Sequence, residues 1–307
     1  QKNEELTLDE IGDVLDQAAA LGALKLELTG GDVYRRKDLH EILELARAKR
    51  FAVSIKTHGM HIDKAEAAAL KALSVRRVDL SVHGADDATH DRVTRVPGSF
   101  QRTKSAAHYL DEVGIDVHIN FVGTRYNLPQ LPRVRELFAE RFATATSFSI
   151  TARDNEDTSS MAHQAEHEVM VVAQHYTLCQ SSAPLVPPKD KEDHQRLCGA
   201  GHTGVAILPG GQVQPCPVYS RPMGNVRERS LAEIWSGEVA DQVRAHDWGK
   251  NSGCSGCEAK SHCSFCPAGA YLAVGDATQP VASNCGPAFA MMEGFEKALA
   301  DRKIASE

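Results

Sequence analysis

Cysteine is absent from the first 178 residues of this 307-residue chain. Of the eight cysteines, seven lie between Cys198 and Cys285, and only Cys179 stands apart. A disulfide framework is commoner in short secreted chains, so clustered metal ligands in a reducing compartment are the better interpretation. The distribution therefore predicts a cytoplasmic protein with a metal centre in its C-terminal half.

Long apolar runs and an excess of positive charge are also missing. No run approaches the ~18 apolar residues that a transmembrane helix needs, and the formal net charge is −7. Without an obviously basic face, binding to nucleic acid or to an anionic membrane is disfavoured. The composition, with 42% hydrophobic residues, is that of an ordinary globular protein. We expect neither nucleic acid nor a membrane as a partner.

The seven clustered cysteines follow a metal-binding spacing. Two CxxC pairs, which begin at Cys254 and Cys263, are separated by five residues. Two thiols in a CxxC pair can bind one ion, as in zinc and iron–sulfur sites. Seven thiols are one short of two four-thiolate sites, and a zinc-stabilised interaction module without catalysis remains an alternative. The candidate metal ligands are Cys198, Cys216, Cys254, Cys257, Cys263, Cys266 and Cys285.

Helices and strands alternate over the first half of the chain. A capping box, Thr7 with Glu10, opens the first helix. We predict five strands, near residues 25–29, 53–57, 78–82, 116–122 and 147–151, each entered from a helix. Such alternation indicates right-handed βαβ units with parallel strands. Because the series opens with a helix, we expect an α/β fold: a partial (β/α) TIM-like barrel that lacks its first strand.

Loops after the C-terminal ends of the strands carry the chemistry of such barrels. Two glycines permit close approach of a ligand to the backbone, and Asp32 adds a carboxylate able to hold an ammonium group. A plain turn has the same composition, and histidines on such loops are more often packing residues than ligands. The residues that fall at these ends are Gly30-Gly31-Asp32, Thr57-His58-Gly59, Ser81, His83 and Asn120.

An irregular stretch is predicted at residues 85–98. Arg92 and Arg95 in this stretch could clamp a carboxylate, or could lie on a solvated loop.

The pattern changes after residue 152. A helix is predicted at 161–180, a hairpin from Gly204 to Cys216 with Cys198 and Cys216 at its base, and a helix from Ser230 to Val243. A last helix is predicted from Ala288 to Arg302. We therefore predict a barrel at 1–155, a connecting helix and linker at 156–196, a small cysteine-rich α+β domain at 197–290 and a C-terminal helix at 291–307.

Several motifs resemble those of one enzyme family. Thr29-Gly30-Gly31-Asp32 is similar to a TGGEP strand end, and Thr57-His58-Gly59 to a TNG turn. The runs 81–100 and 224–235 and the spacing of the seven cysteines match the same family. Over residues 7–290 the chain resembles the radical S-adenosylmethionine (radical SAM) enzymes that carry a C-terminal SPASM domain.

The resemblance implies a set of cofactor contacts. Gly30, Gly31 and Asp32 would hold the methionyl amino group of S-adenosylmethionine, and Ser81 its ribose. Asp32 stands where the family has glutamate, which keeps the charge but shortens the reach. The implied cofactor-binding residues are Thr29, Gly30, Gly31, Asp32, Ser81, Arg92 and Asn120.

The resemblance also implies two auxiliary 4Fe–4S clusters. Cys263 and Cys266 are separated by two residues, where the family has three. The fourth site of the first cluster would be open, or filled by Cys179, His194, water or substrate. The first cluster would be bound by Cys198, Cys216 and Cys266, and the second by Cys254, Cys257, Cys263 and Cys285.

The family's reaction begins with reductive cleavage of S-adenosylmethionine to a 5′-deoxyadenosyl radical, which takes a hydrogen atom from the substrate. The resemblance implies a peptide or small-protein substrate and a reductant such as flavodoxin or ferredoxin. A decarboxylase of the haem pathway is the alternative within the enzyme class.

The family's CxxxCxxC motif, which binds the cluster that cleaves the cofactor, does not occur in these 307 residues. The chain starts with Gln1, and the barrel starts with a helix. We expect a fragment that lacks the first strand and its cluster loop, rather than a degenerate homologue. The expectation is that these residues alone do not convert S-adenosylmethionine to 5′-deoxyadenosine.

Overall fold

The computed structural model describes residues 5–123, 127–138, 140–148 and 185–304. The chain divides into two compact units: Leu6–Ser149, and Gln1–Glu5 with Ile150–Glu307. The helix predicted at 161–180, Cys179 and most of the predicted linker lie outside the described residues.

The first unit alternates helices with strands. In chain order its elements are α1 Leu8–Ala20, β1 Lys25–Leu28, α2 Leu39–Ala48, β2 Ala52–Thr57, α3 Lys64–Ala72, β3 Val75–Val82, α4 Asp87–Thr94, α5 Ser99–Glu112, β4 Asp116–Gly123, α6 Leu131–Phe138 and β5 Ala143–Phe148.

The five strands form one parallel sheet in the order β1-β2-β3-β4-β5. Each strand therefore lies beside the next strand in sequence, and the sheet grows in one direction. A doubly wound sheet would reverse its order at a switch point, whereas a barrel keeps it. The predicted partial (β/α) TIM-like barrel is confirmed.

The helices pack apolar stripes onto one face of this sheet. The capping box begins α1 as predicted: Thr7 Oγ1 accepts from the Glu10 N–H at 3.2 Å, and the Glu10 carboxylate accepts from the Thr7 N–H at 2.7 Å. Leu43, Ile55 and Leu80 are fully buried between helices and strands. This core fixes where the strands end, and so where the loops of the site begin.

Charged side chains occupy alternate positions on the strands. Lys56 Nζ lies 2.8 Å from Glu27 Oε1, and Arg77 Nη2 lies 3.1 Å from Asp79 Oδ2. Asp79 is also the register partner of His118. Because successive residues of a strand point to opposite faces, these ion pairs lie on the face of the sheet opposite to the helix-packed core.

The prediction for residues 85–98 is wrong in part, because α4 forms at Asp87–Thr94. Asp86 begins this helix by accepting a hydrogen bond from the Thr89 N–H at 2.9 Å. His90 is its only buried residue, so no apolar stripe marks α4 in the sequence. Arg92 therefore lies on a helix and not on a loop. The last strand is also shifted, to Ala143–Phe148 from the predicted 147–151.

The second unit consists mainly of short strands, short helices and turns. Its described elements are β6 Ala206–Ile207, β7 Gln212–Gln214, β8 Gly224–Asn225, α7 Leu231–Trp235, α8 Glu238–Arg244, α9 Pro267–Val274 and α10 Ala282–Ile304. The three strands pair antiparallel in the order β6-β7-β8, which confirms the predicted hairpin.

All four described helices of this unit differ from the prediction. The helix expected at Ser230–Val243 is two helices, α7 and α8, separated at Ser236 and Gly237. The helix α9 was not predicted, because nearly all of its residues are apolar and its sequence shows no helical period of apolar and polar residues. The last helix begins at Ala282, not Ala288, which places Cys285 in its first turn.

Among the described residues, none of the helices combines the length and apolar character needed to cross a membrane.

Candidate functional site

The loop after β1 exposes its backbone at the C-terminal edge of the sheet. Thr29, Gly30 and Gly31 are all exposed. Gly30 has φ +150°, which L side chains rarely adopt. Gly31 has no such constraint, because an added Cβ would make only ordinary contact, 3.9 Å from Arg35 Cδ. The fold does not require glycine at 31, whereas a ligand that approaches the backbone closely would.

Asp32 bonds mainly to the chain itself. Its side chain is 6% exposed. Oδ2 accepts from Thr57 Oγ1 at 2.6 Å and from the His58 N–H at 3.1 Å, and the ring Nε2 of His58 lies 3.1 Å from it. Oδ1 accepts from the Tyr34 N–H at 3.0 Å, which leaves one of its lone pairs for another donor. The carboxylate thus joins the end of β1 to the end of β2.

Ser81 and Asn120 are brought together by the register of the sheet. They are direct neighbours on β3 and β4, and both are half-buried. By alternation they share the face that carries the ion pairs of the strands. Arg92, in contrast, is exposed on α4, an element that follows β3.

His83, at the end of β3, packs against His90 of α4, with ring centroids 5.5 Å apart. His90 is fully buried, and its Nδ1 accepts from the His83 N–H at 3.2 Å. Burial lowers the pKa of His83 to about 4, with smaller contributions from His90 and His58. Burial likewise lowers the pKa of His90 to about 4 against the opposing charges of nearby aspartates. Both rings are therefore neutral near pH 7.

Three cysteines of the second unit form the first thiol group: Cys198, Cys216 and Cys266. Burial raises the pKa of the Cys198 thiol, and the charges of Cys216 and Cys266 raise it further. Burial also raises the pKa of Cys216, with Cys266 adding to the shift. Such mutual effects arise only between sulfurs that lie close together.

Four cysteines form the second thiol group: Cys254, Cys257, Cys263 and Cys285. Burial raises the pKa of Cys263 to about 11, and the charges of the other three members add to the shift. Burial raises the pKa of Cys285 as well, with Cys257 adding to it. Because their pKa values are raised, the thiols of Cys254, Cys263 and Cys285 hold their protons near pH 7, so a metal must displace protons to bind them.

Two small cores separate the thiol groups. Cys254 and Cys263 belong to a core around Trp248 and Phe265. Cys216 and Cys266 pack instead against a core around Tyr219. The two-residue spacing between Cys263 and Cys266 therefore sends their side chains into different cores. In the sequence, the assignment of Cys263 and Cys266 to different groups rested only on the family resemblance.

The start of α9 and the side chain of Asn284 position the cysteines. No sequence motif pointed to Asn284. Cys266 is the N-cap of α9, and its sulfur accepts from the Gly269 N–H at 3.4 Å. The Asn284 side chain accepts from the Cys266 N–H at 3.3 Å and donates to the Cys266 carbonyl at 3.1 Å. Asn284 precedes Cys285 in α10, so it connects the two thiol groups.

A cavity of about 830 Å³ lies beside the first thiol group. Its wall includes all three thiols of this group and the basic residues Lys191, His194 and Arg196. His194, one of the residues expected near the fourth site of the first cluster, thus lines the cavity. Cys179 lies outside the described residues. Over the described ranges, no three His, Cys, Asp or Glu side chains are near enough to hold a single metal ion.

Family models match both units. The model of the radical SAM superfamily matches residues 1–138, and the model of SPASM, an iron–sulfur cluster-binding domain, matches residues 198–258. The chain belongs to the radical SAM enzymes with a SPASM domain. These matches confirm the resemblance drawn from the motifs, and they favour iron–sulfur chemistry over the zinc module.

Curated relatives include two kinds of radical SAM enzyme. The PqqA peptide cyclase of Rhizobium meliloti is 29% identical over 299 residues, which cover 92% of this chain and 80% of that protein. The AdoMet-dependent heme synthase of Methanosarcina barkeri is 28% identical over 298 residues, 89% of this chain and 85% of that protein.

Solved radical SAM structures share the fold. Streptococcus suis SuiB bound to S-adenosylmethionine has a TM-score of 0.69 at 17% identity, over 91% of this chain and 70% of that chain. Native anSMEcpe with bound AdoMet has a TM-score of 0.67 at 16% identity, over 95% and 87%. The radical SAM and SPASM domains imply 4Fe–4S clusters and S-adenosylmethionine as cofactors.

Proposed function

We propose that this radical SAM/SPASM enzyme modifies a peptide or small protein by hydrogen-atom abstraction. The observation that carries the proposal is the arrangement of the cysteines: Cys254 and Cys263 lie at one small core, and Cys216 and Cys266 lie at another. When bound, S-adenosylmethionine and its reduced cluster supply the 5′-deoxyadenosyl radical. A reductant such as flavodoxin or ferredoxin delivers the electron.

The strand ends of the first unit would hold S-adenosylmethionine. The exposed backbone of Thr29, Gly30 and Gly31 accepts the methionyl ammonium, because a backbone carbonyl is an acceptor for such a group. Asp32 contributes through the remaining lone pair of Oδ1 and chiefly fixes the loop. Ser81 and Asn120, side by side on β3 and β4, bind the ribose hydroxyls. Arg92 lies within this set only if its long side chain reaches back from α4.

The thiol groups would hold the two auxiliary 4Fe–4S clusters. The first thiol group supplies three ligands and opens onto the 830 Å³ cavity, and the second supplies four. All-sulfur donors are typical of iron–sulfur clusters. The Ala200 N–H, 3.4 Å from the Cys198 sulfur, favours the ionised form of that thiol.

Two kinds of similar protein favour a peptide substrate. PqqA peptide cyclases of several organisms match this chain at 27–29% identity. SuiB has also been solved with its precursor peptide SuiA, at a TM-score of 0.68. The heme synthase at 28% identity keeps a porphyrin substrate as the second candidate.

Substrate binding tests the proposal without depending on cofactor cleavage. Fluorescently labelled peptides encoded beside the gene, and a porphyrin as competitor, are titrated into the anaerobically reconstituted enzyme. We expect saturable binding of one peptide, undisturbed by the porphyrin. Saturable binding of the porphyrin without peptide binding would instead favour the haem-pathway function.

A further inference from the structure

Tyr219 carries a buried polar group without a partner. Its side chain is 0% exposed. Within the described part of the chain, its hydroxyl donates no hydrogen bond. Buried tyrosine hydroxyls normally find a partner, because the desolvated O–H is otherwise uncompensated. The orphaned hydroxyl therefore points to an acceptor that the polypeptide does not supply.

The surroundings of Tyr219 are the sulfurs of the first thiol group. In the turn that follows Cys216, the Tyr219 N–H donates to the Cys216 carbonyl at 3.2 Å. Cys216 and Cys266 pack against the small core of which Tyr219 is the largest member. Tyr219 and Cys198 also line the same small internal cavity. All three cysteines of the group thus lie at the core or at the cavity to which Tyr219 belongs.

Two other polar groups near Tyr219 do not accept a hydrogen bond from its hydroxyl in the described structure. The Arg221 guanidinium lies beside the hydroxyl, and it can only donate hydrogen bonds. His246 lines the same cavity, and its buried Nδ1 makes no hydrogen bond within the described residues. The sulfurs of a bound cluster are acceptors of the required kind, and they carry negative charge.

We propose that the Tyr219 hydroxyl donates a hydrogen bond to a sulfur of the cluster held by the first thiol group, and so raises its reduction potential. The inference rests on the proposed cluster ligation. A hydrogen bond to a cluster sulfur stabilises the more negative, reduced state more than the oxidised state. Tyr219 is a positioning residue here, because it ligates no iron.

The test compares Tyr219→Phe with Tyr271→Phe in the reconstituted protein. Both variants lose one phenol hydroxyl, and the two rings lie 5.2 Å apart, but Tyr271 is partly exposed. Redox titrations are followed by electron paramagnetic resonance. In Tyr219→Phe, we expect the reduced-to-oxidised ratio of one auxiliary cluster, measured at a fixed potential, to fall up to tenfold. A tenfold fall corresponds to a reduction potential lower by about 59 mV for one electron. The other cluster, and both clusters in Tyr271→Phe, keep their potentials.

Site-specific 3-fluorotyrosine at position 219 provides a second measurement. Fluorine makes the phenol a stronger donor while the ring and hydroxyl stay, so the same potential shifts upward, opposite to Tyr219→Phe. Shifts of equal sign in the two proteins would assign the effect to packing and overturn the proposal. If Tyr219→Phe loses its cluster, the sign of the fluorotyrosine shift decides alone.

Iron content separates this inference from the proposed function. A parent protein without iron in the first thiol group refutes the ligation, and the role of Tyr219 with it. Full iron content with unchanged potentials in Tyr219→Phe refutes the role of Tyr219 alone. Unchanged potentials are the result expected if the hydroxyl bonds through a water to His246 instead.

Discussion

Asp32, at the scale of single residues, shows how one side chain joins two loops of the cofactor site. Replacing it by Asn removes the charge beside His58 and puts an N–H₂ where an oxygen accepts hydrogen bonds. We expect Asp32→Asn to lower the free energy of unfolding of the first unit by about 2 kcal/mol. Urea unfolding, followed by circular dichroism, measures it.

The matched control for Asp32 is Asp38→Asn. Asp38 makes its ion pair with Arg36 at a partly exposed position, 31% for its side chain. Partly exposed pairs contribute less than about 1 kcal/mol. Equal unfolding midpoints for the two variants would contradict the linking role of Asp32.

His90 makes the stability of the first unit depend on pH. In the unfolded chain its pKa is near 6.5, and burial lowers the folded pKa to about 4. The unfolded state therefore binds the proton first, and stability falls as pH falls from about 6.5 towards 4. A shift of this size corresponds to at most about 3 kcal/mol. His83, with a folded pKa of about 4, acts in the same direction.

His90→Asn keeps an acceptor for the His83 N–H but does not titrate. We expect a protein that is less stable at pH 7, because the ring leaves a cavity, and that loses less stability between pH 7 and pH 5 than the parent. Thermal unfolding across this pH range measures the slopes, and identical slopes in parent and His90→Asn would count against the account.

At the scale of elements, the turn after β2 depends on one glycine. Gly59 has φ +75°, and an added Cβ would lie 2.8 Å from Leu80 Cδ2. Gly22 has a similar φ, +82°, with nothing within 4 Å of such a Cβ. We expect Gly22→Ala to cost about 1 kcal/mol from the backbone alone, and Gly59→Ala at least about 1 kcal/mol more from the clash. Denaturant titrations compare them, and equal costs would show that the turn relaxes freely.

Asn284 joins two elements of the second unit, the loop at Cys266 and the start of α10. Asn284→Ala removes both hydrogen bonds to the Cys266 backbone. We expect it to lose iron from the first thiol group, while Ser283→Ala, one residue earlier on α10, keeps the parent's iron content. Asn284→Asp retains the acceptor only and should lie between them. Iron analysis after gel filtration decides, and full iron content in Asn284→Ala would contradict the role.

The sequence predicted those elements whose pattern is local. The strands β1 to β4 alternate in a way that their own residues reveal, and the capping box marks α1 directly. The sequence did not indicate α4, because His90 is the only buried residue of this helix and no apolar stripe marks it. The sequence did not indicate α9 because its own residues are apolar on all sides, including the exposed Leu272 and Val274. Periodicity reports a contrast between one apolar side and one polar side, so a helix without that contrast gives no signal.

Contacts between distant residues could not be predicted in the same way. The two hydrogen bonds from Asn284 to Cys266 span 18 residues. The spacing of the cysteines indicated a metal site, but the division of Cys263 and Cys266 between two cores depends on Trp248 and Tyr219 packing from elsewhere in the chain. Asp32 was identified as a carboxylate at a strand end, but its bonds to Thr57 and His58 required the folded sheet.

At the scale of the whole molecule, the second unit depends on metal more than the first does. Its described strands are two or three residues long, and its cores around Trp248 and Tyr219 are small. Ligation therefore supplies folding energy there. We expect Cys257→Ala to lower the melting temperature of this unit in the reconstituted protein, by calorimetry. A variant that melts like the parent would contradict this dependence.

The most direct test of the account is the iron and acid-labile sulfide content of three anaerobically reconstituted proteins, with Mössbauer spectra. The parent should contain about eight irons as two 4Fe–4S clusters. The Cys198→Ala/Cys216→Ala and Cys254→Ala/Cys257→Ala double variants should each keep about four, with the spectrum of the cluster that remains. Zinc without sulfide in the parent, or loss of both clusters from either variant while it stays folded, would contradict two separate iron–sulfur sites.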